Sequence, residues 1–386
     1  MKKRSTQNHI AQPLLFTPGS LAQSEQLEII SRLPVIQESD TSSLLPVPNY
    51  QPDRAIREAV LARPEDWHQT DDILTYTASN QLLVYLGDKH NPLPVEEALT
   101  AIRQFSASTV LTARIVLAIW QRRRYEQRLS KNGAAPMRLD EILSMRGMKK
   151  RSAPAYPGTD SDIRYSNGYK TEDKQAILAD LAILQRCIVR GECTVFVKGK
   201  WQGLSVDDQY LHHSIVYRKF PTGGREIAGI FVTAGDWINV YEDNAALFLA
   251  AVEQKVFQLN PHQEQHELRL ALYLTERWRE QARKRNYADP ISMQELLEAS
   301  VIPIDRKHTY RFIPRIEDAL HQLFAKGILG AEPQCITLID RTQTRWTGDW
   351  LASLWILLPP EDIKQHYSTI AASSSSLPRA SSRPAQ

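Results

Sequence analysis

Apolar and polar positions along the chain fall into two runs of the same order. Residues 108–129 begin almost wholly apolar, from Val110 to Trp120, and turn abruptly basic at Arg122-Arg123-Arg124. A stretch apolar all round predicts a buried helix, and Asn132-Gly133 with Pro136 closes it. Residues 138–146 predict a short second helix stopped by Gly147. Residues 171–188 predict a third, with Ile177, Leu178, Leu181, Leu184 and Ile188 on one stripe. Thr171 stands where an N-cap belongs, with Glu172 and Asp173 in the first turn. Strand-like runs follow at 194–197, 215–217 and 227–232, with Thr222-Gly223-Gly224 as a hairpin turn. Residues 244–259 read as one more amphipathic helix.

The pattern then starts again. Residues 267–285 are apolar first and basic last, and Pro290 ends them. Ser292 and Glu295 open a short helix over 292–299 in the capping-box spacing. Residues 311–326 place Phe312, Ile313, Ile316, Ala319, Leu320, Leu323 and Phe324 at helical spacing, with Gly327 as the stop. Candidate strands lie at 336–339 and 355–358. Setting Arg114 on Arg269 brings Leu117 to Leu272, Arg122 to Arg277 and Arg124 to Arg279; after one gap, Pro136 meets Pro290 and Glu141 meets Glu295. Helix, helix, helix and a two-stranded wing is the winged-helix order, a variant of helix-turn-helix. The expected fold is mainly α with small β-hairpins (α+β), holding two tandem winged-helix domains. Its divisions are an N-terminal arm at 1–95, partly disordered, with a short helix at 53–61 and an extended piece at 44–48; a first winged-helix domain with extra strands at 96–259; a second at 260–358; and a disordered tail at 359–386. The tail ends in SSSSLPRASSRPAQ, which cannot bury a core.

Composition narrows the class. The 386 residues are 42% apolar and 24% charged, so disorder of the whole chain is excluded. Three cysteines without a C-x-x-C pair exclude a disulfide scaffold and a Cys-based zinc site. The basic start Met1-Lys2-Lys3-Arg4 is followed by polar residues and not by a signal-peptide core. No apolar run approaches the ~18 residues of a membrane helix. The expectation is a cytoplasmic protein with no membrane association, no metal and no cofactor. Enzyme signatures fail as well: His262 and His266 lack the H-E-x-x-H glutamate, His212-His213 lack the alternation of nicking enzymes, and Lys198-Gly199-Lys200 lacks the spacing of a phosphate loop.

A net charge of +3 conceals strong local imbalance. Residues 101–151 carry twelve Lys and Arg against three acidic residues, and 269–285 carry six against two. A solvated helix end whose cations answer the helix dipole explains one such cluster. Two clusters at equivalent places in a repeat favour phosphate contact. In the first copy the candidates are Arg122, Arg123, Arg124, Lys149, Lys150 and Arg151. The third helix of each copy is the one to enter a major groove. In the second copy it offers Arg311, Arg315 and Gln322, preceded by Arg306 and Lys307, with Arg341 and Arg345 in the would-be wing. In the first it offers Lys170 and Lys174 beside Glu172 and Asp173, which suits backbone contact or pairing with another chain. Electrostatics therefore assign base reading to the second copy.

With these residues in hand, the chain resembles the tandem winged-helix plasmid replication initiators, including the iteron-binding Rep proteins and the broad-host-range TrfA type. The resemblance spans about 96–345 and rests on 111–128, 169–191 and 268–330. It implies a double-stranded DNA-binding protein, not an enzyme, that binds direct repeats in an origin, helps open adjacent AT-rich DNA and recruits host helicase and other replication proteins. It implies a homodimer through the first winged-helix domain, and makes Arg311 and Arg315 base or phosphate contacts. The chain departs from the pattern in its long arm and in the loop at 148–169. A winged-helix transcriptional regulator and a winged-helix protein–protein adaptor remain the alternatives.

Overall fold

Two copies of one topology, packed against a shared opening segment, make up most of the chain. The computed structural model describes residues 23–33, 44–88, 91–130, 132–150, 152–154, 164–166, 168–197, 200–221, 223–238, 249–343 and 346–375. The opening segment holds helix α1 (Gln23–Ser31), strand β1 (Leu44–Pro48), α2 (Gln51–Leu61), β2 (His68–Thr70), β3 (Ile73–Thr77), β4 (Leu83–Asp88), β5 (Asn91–Pro92) and α3 (Val95–Ile102). The first unit follows with α4 (Ala107–Tyr125), β6 (Ala135–Met137), α5 (Leu139–Met145), the small pair β7 (Ser152–Pro154) and β8 (Arg164–Ser166), and α6 (Thr171–Gln185). Two hairpins complete it, β9 (Cys187–Val197) with β10 (Lys200–Gln209), then β11 (Leu211–Lys219) with β12 (Arg225–Ala234). Strand β13 (Leu249–Glu253) and α7 (Gln254–Phe257) lead to the second unit. That unit comprises α8 (Gln265–Lys284), β14 (Ile291–Ser292), α9 (Met293–Ala299), α10 (Thr309–Ala325), β15 (Gln334–Cys335), α11 (Trp346–Ala352) and β16 (Leu354–Ile356), and α12 (Glu361–Ser375) closes the chain. The fold is thus mixed helix and sheet.

The repeat seen in the sequence returns as topology. Each unit runs long helix, short strand, short helix, third helix and two further strands. The sheets are ordered β11-β12-β6 and β14-β16-β15, so in both the last strand lies between the first and the second. All of these pairings are antiparallel. The hairpin β9–β10 has no counterpart in the second unit. It joins the larger sheet, ordered β10-β9-β4-β3-β2 with β5 on β4.

That larger sheet corrects the expected arm. Strand β4 pairs with β9 of the first unit, from Leu83 opposite Arg190 to Leu86 opposite Cys187. Strand β1 pairs with β13, and Val47 and Leu45 are buried there. Residues 44–95 therefore belong to the body that the sequence began at 96. Their partners lie a hundred or more residues away, and such pairing leaves no local trace. Three further expectations change. Residues 249–259 of the expected amphipathic helix are a strand and one short helical turn; Leu249, Ala250, Ala251, Val252 and Glu253 are all buried, so the strand lacks the alternation that would reveal it. The rest of that span, 239–248, lies outside the described residues. The expected tail begins with α12, whose Ile363 and Tyr367 are buried. In the second unit β15 ends before the strand expected at 336–339, and α11 occupies part of the connection.

Local signals explain the ends of the helices. The Ser292 hydroxyl accepts the Glu295 N–H at 3.1 Å. Gly147 and Gly327 take left-handed φ values of +67° and +68° beyond α5 and α10. The expected cap Thr171 is instead the first residue of α6, and Lys170 precedes it. Asp180 of α6 is buried, yet it accepts hydroxyl hydrogen bonds from Ser108 (3.2 Å), Thr109 (2.8 Å) and Thr112 (2.7 Å) of α4. One side chain thereby fixes the third helix on the first. A single hydrophobic cluster runs from Leu45 through Leu111 and Leu184 to Leu272, Leu320 and Tyr367, so opening segment and both units share one core.

A buried ionic cluster crosses that core. Glu276 of α8 receives Arg57 of α2 at both carboxylate oxygens, 2.9 and 3.1 Å, and also Arg114 of α4. Arg114 reaches Asp53 of α2 at 2.6 Å and the Pro48 carbonyl at 2.7 Å. The Tyr210 hydroxyl donates to Asp53 at 2.6 Å. Arg57 also donates to the Ala299 carbonyl at the end of α9 (3.2 Å), where the helix dipole favours a cation. Burial works against ionisation of Glu276, but Arg57, Arg114 and Arg54 outweigh it and hold its carboxyl below the usual range. At Asp53 burial wins over Arg114 and the carboxyl is raised. Glu276 thus anchors the charge of the cluster. Replacing it, Glu276→Gln, leaves buried arginines short of a counterion and is expected to cost about 3 kcal/mol, measured as a lower urea midpoint.

His213 supplies a pH dependence. Burial, then the neighbouring His212, pushes its imidazole down from 6.5 to about 4. Between those values the unfolded chain holds the proton and the folded chain does not, so stability falls as pH falls. Acidification through that window is expected to shift the stability difference between the natural chain and His213→Gln by up to ~3 kcal/mol in favour of the variant. Urea unfolding of both proteins at neutral and mildly acidic pH checks this.

Candidate nucleic-acid interface

Helix α10 is the third helix of the second unit. Phe312, Ile313, Ile316, Ala319, Leu320 and Leu323 bury one face of it. The opposite face exposes Arg311, Arg315, Asp318, His321 and Gln322. Arg311, Arg315 and Gln322 stand at i, i+4 and i+11, which a 3.6-residue turn keeps on one side. At the start of the helix the Asp305 carboxylate accepts the N–H groups of Lys307 and His308, each at 3.0 Å. This turn leaves Arg306 and Lys307 exposed at the same end as Arg311. Arg311 lies over the Tyr310 ring, 5.2 Å from its centroid, and Tyr310 is 63% exposed. Arg341 pairs with Glu317 of α10 at 2.6 Å and lies 5.4 Å from the Trp346 ring centroid. Glu317 also accepts the Trp350 indole N–H at 2.8 Å, so the loop bearing Arg341 is tied to the flank of the helix. The structure brings Arg306, Lys307, Arg311, Arg315, Gln322 and Arg341 to one unit, while Arg345 lies outside the described residues.

The first unit is different. Arg123 is no surface cation: it is 1% exposed, and its guanidinium holds both Glu141 oxygens at 3.0 and 3.3 Å. Position 123 shares a helical face with Val116, Ile119 and Trp120, which bury against the core. Arg122 pairs with Glu126 at 2.9 Å, and Arg128 reaches the same carboxylate at 3.2 Å. Arg124 lies over the Trp120 ring at 5.4 Å. The basic end of α4 is therefore largely engaged within the protein. Near the equivalent end of α8, Arg277 donates to the Asp289 and Pro290 carbonyls at 3.0 Å and the Arg279 guanidinium lies 5.0 Å from the Tyr367 ring centroid, while Arg283, Lys284 and Arg285 are exposed. Lys149 and Lys150 are exposed, with Lys150 over Tyr169 at 5.9 Å; Arg151 lies outside the described residues. Lys170 is exposed, whereas Lys174 pairs with Asp140 at 2.7 Å. The outward face of α6 shows Glu172, Gln175, Ala176 and Ala179, small and without net positive charge.

Two surface features escaped the sequence reading. Tyr310 flanks Arg311 on the open end of α10. Arg218, Lys219 and Arg225 gather at the end of the β11–β12 hairpin. The Gly223-Gly224 turn was the available signal for the second, but only the register shows which side chains it brings together. Among the described residues no group of three or more His, Cys, Asp or Glu is placed to hold a metal ion. His266 packs edge-on to Phe312 at 6.4 Å, and burial, then Arg269 and Arg315, hold its imidazole below the ordinary value. No single described helix is long and apolar enough to cross a membrane.

No protein-family model matches the chain, and no curated protein is significantly similar to it. Two solved structures are similar in arrangement. One is of domains 2–3 of RctB, at TM-score 0.43 and 11% identity, covering 81% of this chain and 99% of that one. The other is of selenomethionine derivatives of domains 2 and 3 of RctB, at TM-score 0.36 and 14% identity, covering 70% of this chain and 84% of that one.

The assignment of Arg123 to the interior has a measurable consequence. Arg123→Ala strands the buried Glu141 carboxylate and is expected to cost 3 kcal/mol or more of stability, an order-of-magnitude figure of about 3–5. Arg122→Ala removes a surface pair and is expected to cost under ~1 kcal/mol. Parallel urea titrations of the two variants distinguish these outcomes.

Proposed function

We propose that the chain is a sequence-specific double-stranded DNA-binding protein with two tandem winged-helix units, acting as a replication initiator that binds origin repeats and recruits host replication machinery. The observation that carries the reading is α10: a third helix seated on its unit by one apolar face and presenting Arg311, Arg315 and Gln322 on the other. Arginine bidentate to guanine and glutamine bidentate to adenine are the side-chain pairings that major-groove readout favours. The repeated strand order, with the last strand central in both units, supports the winged-helix assignment. The initiator role follows from the sequence resemblance, which covers both units. The first unit takes the supporting part: its α6 face lacks the charge to grip phosphates and suits contact with a second copy of the chain. No catalytic constellation is assigned, and host helicase is the partner this role requires.

Footprinting on DNA flanking the gene is the primary test. Protected direct repeats are expected; protection of an isolated inverted repeat would move the role to transcriptional regulation. Binding should weaken steeply with salt, by about 0.9 in log K per log salt for each phosphate contact, and a flat dependence would point to a protein adaptor instead. Arg311→Ala and Arg315→Ala are each expected to cost ~1–3 kcal/mol of specific binding, more than Lys170→Ala and Lys174→Ala. Equal or reversed losses would remove base reading from α10.

A further inference from the structure

The second unit leaves bare a sheet face that the first unit covers. In the first, α1 lies on the outer side of the β11-β12-β6 sheet, where Ile30 is buried with Val216, Phe231 and Ala134 in a cluster separate from the main core. The fit is close. A Cβ at Gly229 would lie 2.8 Å from the Ile30 Cδ1, so glycine admits the helix at that depth. Arg138 donates to the Ile30 and Ser31 carbonyls at 3.0 and 3.1 Å, placing a cation on the last turn of α1.

Strand pairing carries these positions onto the second unit. Ile230 faces Met137 as Trp355 faces Ile291, which sets Pro136 on Pro290 as the sequence repeat does. Gly229, Val216 and Phe231 then correspond to Leu354, Ile336 and Ile356. Val216 pairs with Gly229, and the Ile336 N–H donates to the Leu354 carbonyl at 2.9 Å. The face stays apolar, but among the described residues no helix covers it. Ile336 is 53% exposed, Leu354 39%, and Leu338, two residues beyond Ile336, 98%. Exposed apolar residues scattered singly need no explanation; a group of them on one sheet marks an interaction surface.

Charge selects the occupant. The stretches that build and border this sheet, 286–299, 330–340 and 346–358, carry six acidic residues and no lysine or arginine. Glu295, Glu332 and Asp340, each a few residues from a strand end, are exposed. Arg341, next in the chain, is paired with Glu317 of α10. Such a rim repels nucleic acid, and a second copy docked face to face would set like charges together. Nor does α1 of a second copy fit. Leu354 stands where α1 needs glycine, and Ser292 stands where Arg138 holds its end.

We infer that the outer face of the β14-β16-β15 sheet is a docking site for a helix of another protein, one with aliphatic side chains at i, i+3 or i+4, and i+7 and with lysine or arginine on its flanks. Ile336, Leu338 and Leu354 meet the aliphatic stripe, and Glu295, Glu332 and Asp340 meet the cations. The site is separate from the exposed face of α10 and stands whether or not that helix reads DNA.

A displayed library of helical peptides of about 14 residues, roughly four turns, selected on the full chain, tests this. Enriched sequences are expected to show the aliphatic stripe flanked by Lys or Arg. They are expected to bind the double variant Leu338→Ser and Leu354→Ser about tenfold or more weakly, with its urea midpoint unmoved because both side chains are exposed. Leu338→Ser alone, at the most exposed of the three, should already weaken binding. Glu295→Gln with Glu332→Gln should weaken it at low salt and flatten its salt dependence. Three results would overturn the site: no peptide that separates the natural chain from the serine variants, enrichment of acidic peptides or of peptides without the stripe, or a change in the sedimentation of the chain alone on Leu338→Ser, which would make the face a contact between copies.

Discussion

The arrangement of the two units depends on Glu276. Its side chain is 4% exposed and lies between guanidinium groups of the opening helix and of the first unit's long helix. A carboxylate so placed costs several kcal/mol to desolvate, and only well-aligned cations offset that cost. The geometry that satisfies it is therefore restrictive. Arg57 must approach with both nitrogens, and Arg114 must serve Glu276, Asp53 and the Pro48 carbonyl together. A purely apolar junction between α4 and α8 would tolerate sliding. This junction has few alternative registers, because any shift strands a buried charge. Tyr210 extends the restriction: its ring stacks on Trp237 with centroids 5.7 Å apart, and its hydroxyl holds Asp53, so the start of the β11–β12 hairpin is tied to the same cluster.

How much of this was legible in the sequence follows from the range of each interaction. Helices α4, α5, α6, α8, α9 and α10 are written in local periodicity, and some of their ends in Gly147, Gly327 and the Ser292 cap. Repetition was legible because it preserves the order of such local signals. The six-stranded sheet was not, since β3 and β4 are short and find their partner only at β9. Nor was the ionic cluster, although a clue was present. Arg114 lies within a stretch that is otherwise apolar from Val110 to Trp120. A charge inside a helix buried all round must have a buried counterion, but the counterion is 162 residues away.

The site was legible in part, for a related reason. Charge density along the sequence pointed most strongly to the ends of α4 and α8, and those arginines turn out to be largely committed. Arg123 serves Glu141, Arg122 and Arg128 share Glu126, Arg277 caps the loop at Pro290, and Arg279 covers Tyr367. Long basic side chains after a buried helix are well suited to such work, because their stems continue the apolar face while their heads seek carbonyls and carboxylates. The exposed face of α10 keeps Arg311 and Arg315 outward. A count of cations locates regions rich in arginine; only burial separates those that hold the fold from those that face outward.

The two units thus share a topology and diverge at their surfaces. Identical strand order fixes where a third helix and a strand hairpin sit in each, so at those elements the units differ in side chains and in the connection between the last two strands. On α10 the outward positions are Arg311, Arg315, Asp318, His321 and Gln322; on α6 they are Glu172, Gln175, Ala176 and Ala179. The hairpins differ in the complementary sense. In the first unit the connection is a tight glycine turn flanked by Arg218, Lys219 and Arg225, whereas in the second it is long, includes α11 and is bound back to α10 through Arg341 and Glu317. A duplicated fold whose copies expose charge on different elements is not two equivalent readers set side by side. Held in one register by the ionic junction, it presents exposed cations on a helix of one copy and on a strand hairpin of the other.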